Sequence, residues 1–329
     1  MSTHLGVTAR QKARRPLRTV VAILTATVAG TAGCGGSTTT PAASVTSTGP
    51  STEAPPGTIA GPQPTGPVTL RYSAKKGTTT RLHLHVHTGV DDVTGTENGA
   101  QVVGADLLAL RKSMGLPEIT EDGDLTTTVT DVDPKGTAQI TSSGAIALTG
   151  IEGVTAMTLT TQSSLHPDGT QQVASTTVDV QGTSTTTKEA IRKWAEQGGA
   201  VASAAGNIFV GTFTVGKPVI KTTRMAFPQD PSITATTVMN TTYLGRDIDG
   251  NNVFRTTFRM KPILMGPSQT GDPELSFRGG GHGTTTTVVE PDGNAIFVSG
   301  KSAINLTVIG SSKTITTVMG MTTKVTRQP

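Results

Sequence analysis

The chain is poor in most of what catalysis and covalent cross-linking use. A single cysteine in 329 residues, Cys34, excludes an internal disulfide framework and any Cys-x-x-Cys redox or zinc motif. One tryptophan, two tyrosines and seven phenylalanines bring the aromatic fraction to 3%, too thin for the multi-ring platforms that hold sugars. No Gly-x-Ser-x-Gly elbow occurs, so a serine hydrolase lacks its nucleophile turn. Beyond the first 33 residues no apolar run approaches the roughly 20 residues that a membrane-crossing helix needs. Surplus positive charge is missing too. The formal charge of +4 comes from residues 1–33, which hold five Lys and Arg and no acid; the rest has 22 basic and 23 acidic residues, a charge of −1. Nothing there argues for nucleic acid or for an anionic membrane surface.

What is present begins with the leader. Arg10, Lys12, Arg14, Arg15 and Arg18 form a positive stretch, and Thr19 to Gly30 (TVVAILTATVAG) an apolar one too short to span a bilayer. Thr31-Ala32-Gly33-Cys34 follows. These four residues resemble a bacterial lipobox, with Thr31 where Leu is usual. The resemblance implies cleavage before Cys34, diacylglyceryl transfer to its thiol, and a protein held on the extracytoplasmic face of the cell membrane. Its partner there would be the lipid bilayer. Arg14-Arg15-Pro16-Leu17 fits twin-arginine export as well as a merely basic n-region, and both stay open.

Residues 34–67 hold seven prolines, one charge (Glu53) and no aromatic ring. Such a segment buries too little apolar surface to offset its ordering entropy, so it reads as a disordered tether. All ten aromatic residues lie in 68–329, the expected folded domain. Its grammar is β. Val68–Tyr72 and Leu82–His87 alternate apolar and polar residues. Four turns share one chemistry: Asp133-Pro134-Lys135-Gly136, His166-Pro167-Asp168-Gly169, Asp247-Ile248-Asp249-Gly250 and Glu290-Pro291-Asp292-Gly293. Thr/Val-rich runs flank each one. This predicts a mainly β (α+β) fold, an antiparallel meander of about ten strands ending at Lys313–Arg327.

Two helices interrupt it. Thr186-Thr187-Lys188-Glu189 fits a capping box, and Ile191, Trp194, Ala195, Gly198, Val201, Ala202 and Ala205 then recur at helical spacing. Ala105–Met114 is a shorter candidate, and the segment between His87 and Ala105 reads as a mobile loop. An apolar helix face beside a long meander implies a curved sheet, a half-barrel, around that helix.

At this point the chain resembles exported half-barrel lipid carriers of the LolA and LppX/LprG kind. It is also similar to uncharacterised bacterial lipoproteins through Leu70-Arg71-Tyr72-x-x-Lys75-Lys76-Gly77, Val215-Gly216-x-Pro218, Tyr243-Leu244-Gly245 and Asp249-Gly250. The carrier likeness implies a concave apolar pocket for a lipid or other hydrophobic ligand; the second brings no activity with it.

Candidate chemistry is sparse. His83-x-His85-x-His87 puts three imidazoles on one strand face at a spacing that suits zinc, with Asp91 and Asp92 close behind; the alternative is a solvent face opposite Leu82, Leu84 and Val86. Arg278-Gly279-Gly280-Gly281-His282-Gly283 reads as a flexible connector before a strand Thr284–Val289, and Asp247-x-Asp249-Gly250 as a hairpin turn without the ligands of a calcium loop. Ser73-x-x-Lys76 lacks the companion motifs of penicillin-binding enzymes. If a pocket exists, Ile191, Trp194, Val201, Phe209 and Phe213 are its expected lining. The sequence thus favours a non-enzymatic, cofactor-free carrier, with a passive envelope protein and a metal-dependent envelope enzyme as its rivals.

Overall fold

The computed structural model describes residues 56–103, 118–151, 153–194, 209–226, 234–265, 276–311 and 313–329. Among them are fourteen strands: β1 Val68–Leu70, β2 Thr79–Glu97, β3 Ala100–Val102, β4 Ile119–Val132, β5 Ala138–Thr149, β6 Ala156–Leu165, β7 Gln171–Gln181, β8 Gly211–Phe213, β9 Pro218–Ala226, β10 Thr234–Arg246, β11 Asn252–Met265, β12 Ser276–Val289, β13 Ala295–Ile309 and β14 Lys313–Arg327. One helix, α1, spans Thr185–Trp194. The protein is mainly β, as expected. A 12-stranded antiparallel sheet runs β7-β6-β5-β4-β2-β14-β13-β12-β11-β10-β9, with β3 hairpinned onto β2, and it does not close.

Period-two alternation decides the curvature. One continuous cluster takes Leu82, Leu84 and Val86 from β2, Ile146 and Leu148 from β5, and Met157 and Leu159 from β6. Across the sheet it continues through Phe258 and Met260 of β11, Ile304 and Leu306 of β13, and Met319 and Met321 of β14. These side chains are 1–7% exposed. A flat sheet with one short helix beside it leaves such a face wet, so the sheet curls to bury the face against itself. Ile191 of α1 packs against the same cluster, which puts the helix on the concave side.

The four Asp/Gly turns all lie at one end, joining β4–β5, β6–β7, β10–β11 and β12–β13; Gly136, Gly169, Gly250 and Gly293 take φ of 82–89°, which L side chains rarely adopt. The ribbon formed by β1 and β8 crosses this end and plugs it. On one side Leu70, Phe209 and Phe213 join Tyr243, Phe254 and Val289. On the other, Tyr72 and Val210 join Val129, Ile140 and Leu165. Burial, with the Asp292 charge nearby, pushes the Tyr72 phenol up to about 12, so the plug stays uncharged across ordinary pH.

The two mini-cores belong to a repeat. β1-β2-β4-β5-β6-β7 and β8-β9-β10-β11-β12-β13 follow one path. The amides of Gly77 and Gly216 donate to the carbonyls of Val129 and Tyr243. Both β4 and β10 shift register at those residues, between Val129 and Asp131 and between Tyr243 and Gly245. Equivalent hydroxyls pair: Thr127 with Ser142 at 3.1 Å, Thr241 with Thr256 at 2.9 Å. The halves differ in the element that follows these six. β14 follows β13 and joins it to β2, whereas α1 follows β7. Its Lys-Glu-Ala-Ile-Arg run favours a helix, and Glu189 and Arg192 pair at 2.7 Å one turn apart. The seam between β7 and β9 is therefore the one left open.

Several sequence expectations are corrected. β1 leaves the main sheet to pair with β8. No loop follows His87: β2 continues to Glu97, because Val90 and Val93 keep facing inward around a bulge at Asp91, and Asn98-Gly99 (φ 51° and 81°) turns into β3. The glycine run 279–283 lies inside β12; Gly283 faces inward, and a Cβ there would sit 2.5 Å from the Phe258 ring. Ser184, one residue ahead of Thr185, accepts the first helical bond from Lys188, so Thr186–Glu189 lie within the first turn of α1. The folded part also starts before residue 68. The Gln63 side chain accepts from the Arg246 amide at 2.9 Å and donates to the Arg246 carbonyl at 3.1 Å, tying down residues near it. The tether read as 34–67 is therefore docked over its last stretch. The helix candidate Ala105–Met114 lies outside the described residues, as do the leader and Cys34.

Candidate functional site

The histidine row stands on the outer face of β2, as period two requires. Register places β4 residues Asp124, Asp122 and Thr120 opposite His83, His85 and His87. His83 Nδ1 lies 2.9 Å from Asp124 Oδ1, and His85 Nδ1 2.8 Å from Asp122 Oδ2. A carboxylate only accepts, so Nδ1–H donates in both and Nε2 turns away from the partner. His87 Nδ1 lies 3.2 Å from Thr120 Oγ1. The hydrogen bond from His85 holds the exposed Asp122 carboxyl below its usual range, so the carboxylate persists as pH falls through that range and is protonated only below it. Asp122 is shared, its Oδ2 also lying 3.7 Å from His83 Nε2, so the rings and carboxylates form one cross-strand network. Among the described residues no three His, Cys, Asp or Glu side chains converge as a metal set. An open cleft of about 570 Å³ adjoins this row, lined by Thr79, Arg81, Arg327, Gln328 and Pro329.

The pocket lining expected from helical spacing does not assemble. Ile191 packs on the concave cluster, while Phe209 and Phe213 sit at the plugged end in a different one. The Trp194 side chain and Val201 lie outside what the structure describes. Asp247 holds its own turn: its carboxylate accepts from the amides of Asp249 at 3.0 Å and Asn251 at 2.8 Å, and from the Asn251 side chain at 3.2 Å. That occupies the oxygens a calcium ion would need. Asp247→Ala is expected to lower stability by about 1–3 kcal/mol, the cost of stranding partly buried amides, read from urea unfolding midpoints. Lys76 pairs with Asp131 at 3.0 Å on the surface, and Ser73 lies in an extended linker, so neither serves a Ser-x-x-Lys site.

The concave wall holds a feature that sequence reading passed over. Thr241, Thr256, Thr285, Gly300, Thr323, Val86, Glu121 and Leu148 line up, strand by strand, across the inner face from β10 to β5. Glu121 points into the half-barrel near its unplugged end, between Val86 of β2 and Leu148 of β5. Its side chain is half-buried. Thr120-Glu121-Asp122-Gly123-Asp124 looks like a solvated acidic run. The signal that separates Glu121 from its acidic neighbours is the frame Ile119-x-Glu121-x-Gly123-x-Leu125, whose apolar ends face inward.

Burial pushes the Glu121 carboxyl up to about 7. Facing it are Leu84, Val86 and Thr88 from β2, Ile146 and Leu148 from β5, and Ile119 and Gly123 from its own strand; none titrates. The folded state therefore binds this proton more tightly than the unfolded chain. The corresponding stability is fully present below about pH 4.5 and is lost as pH rises to about 7. At most about 3 kcal/mol goes over that interval, less for the partial exposure of the group. Glu121→Gln should flatten this segment of a stability–pH curve measured by denaturant unfolding.

No protein-family model and no curated protein matches the chain. A solved structure, DynF from the dynemicin biosynthesis pathway of Micromonospora chersina, is similar over 84% of this chain and 92% of its own, at 9% identity and a TM-score of 0.16. At that TM-score the likeness carries neither fold nor function to this chain.

Proposed function

We propose that the chain is a lipid-anchored extracytoplasmic protein whose half-barrel holds a hydrophobic molecule of the cell envelope, without catalysing a reaction. The observation that carries this is the concave apolar wall of a sheet left unpaired between β7 and β9, with α1 where a further strand would follow. An incompletely closed apolar interior next to a helix is the kind of concave site in which small hydrophobic ligands bury their surface. The leader supports the placement: Thr31-Ala32-Gly33-Cys34 would supply the acyl anchor, and the residues after it the spacer. Native mass spectrometry of the detergent-extracted full chain tests it. A co-purifying hydrophobic molecule of discrete mass, released only on unfolding, is the expected result. Protein without such a mass overturns the carrier reading in favour of a passive envelope protein, and stoichiometric zinc would overturn it in favour of the histidine row.

A further inference from the structure

We infer that Glu121 anchors the headgroup of a cationic amphiphile, a long-chain primary amine or a lipid bearing one, inside the half-barrel. This deepens the carrier reading and rests on it. The carboxylate lies on the concave face, half-buried, while its neighbours Val86 and Leu148 belong to the apolar cluster. Inward positions through the body of β2, β4, β5, β6, β12, β13 and β14 otherwise carry only uncharged side chains; the described cation in inward register, Lys221, lies on the far rim strand β9 opposite Met239. Buried acids are ordinarily paired. Its raised pKa fits a group awaiting a counter-charge.

The wall also offers hydroxyls to a headgroup. Thr285, in the same row, and Thr161, at the equivalent place in the first half, each bury an Oγ1 with no partner. Thr176, directly opposite Thr161, and Ser302 do the same. An ammonium brings three donors and no acceptor, which suits the Glu121 carboxylate, while the hydroxyls, up to four strands away, line the rest of the wall. The apolar rows on either side of the polar one suit its alkyl chain: Met239, Phe258 and Met321 towards the unplugged end, Leu84, Ile146 and Val298 towards the plug. An anionic headgroup would instead face a second negative charge.

The test uses membranes carrying the full chain and three diazirine probes of equal chain length, ending in a primary amine, an alcohol or a carboxylic acid. After photolysis at pH 8, cross-links to concave-face peptides are counted by mass mapping. We expect the amine to label about tenfold more than the alcohol, a difference of about 1.4 kcal/mol, and the acid to label least. Glu121→Gln should bring the amine down to the alcohol's yield and leave the alcohol's unchanged; Glu121→Asp should restore part of the preference. Equal labelling by amine and alcohol in the wild type, or an amine preference that survives Glu121→Gln, overturns the anchor while leaving the carrier standing. No concave-face labelling by any probe overturns both.

Discussion

Cys34→Ser is expected to abolish acylation, leave the leader uncut and release the chain from salt- and carbonate-washed membranes into the soluble fraction. The argument is additive. A single acyl chain holds a protein only marginally, whereas the two or more that lipobox processing attaches hold it firmly, each buried methylene contributing about 0.8 kcal/mol. Nothing else replaces them. Among the described residues no helix is long and apolar enough to cross a membrane, and the apolar stretch Thr19–Gly30 of the retained leader is shorter than the roughly 20 residues a span needs. Fractionation with a mass measurement of the N-terminal peptide checks the outcome. If the variant stays in the washed pellet as firmly as the wild type, the anchor lies elsewhere and the placement fails.

Phe254→Ala is expected to cost about 3–5 kcal/mol, as much as truncation of one buried residue ordinarily can. Phe254 is fully buried and is the hub of the plug. Its ring centroid lies 4.8 Å from that of Phe209, 4.8 Å from Phe213 and 5.1 Å from Tyr243. Phe209 and Phe213 flank or belong to the ribbon, while Tyr243 belongs to the main sheet, so the ring joins the two. Its loss should lower the urea midpoint and expose the β1–β8 ribbon to hydrogen exchange before the main sheet opens. Tyr243→Phe makes the contrast: it keeps the ring and removes only the hydroxyl, with its 3.0 Å bond to Asn252 Oδ1 and its interaction with Arg246, a change of about 1–2 kcal/mol. Equal losses in the two variants would mean that the hydrogen bond, not the ring packing, fastens the plug.

The strands were legible because their causes are local. Alternation along Leu82–His87 and proline, aspartate and glycine at four turns fix hairpins without reference to anything distant, and β14 lies at Lys313–Arg327 as its pattern implies. What escaped depends on register between distant strands. Glu121 faces inward because it pairs with Val86, 35 positions away in the chain. The glycines of β12 read as a connector until Phe258 is seen to need their missing side chains. The repeat escaped because it preserves hydrogen bonds and bulges rather than residue identity: Val129 answers to Tyr243, and Ile140 to Phe254. Of the expected pocket lining, Ile191 packs on the concave cluster while Phe209 and Phe213 serve the plugged end, a separation that local spacing does not reveal.

The open seam has a cost for any molecule tethered to a surface. Bare strand edges invite a neighbouring copy to add its own strand, and attachment to one plane concentrates copies beside each other. Both rims carry deterrents. β9 begins at Pro218, which has no amide hydrogen to offer, and carries Lys221 and Arg224. β7 bulges where Val173 and Ser175 skip Ala174. On a chain tethered as proposed, such rims would resist zipping into ribbons, leaving the unpaired edges in place without seeding fibres.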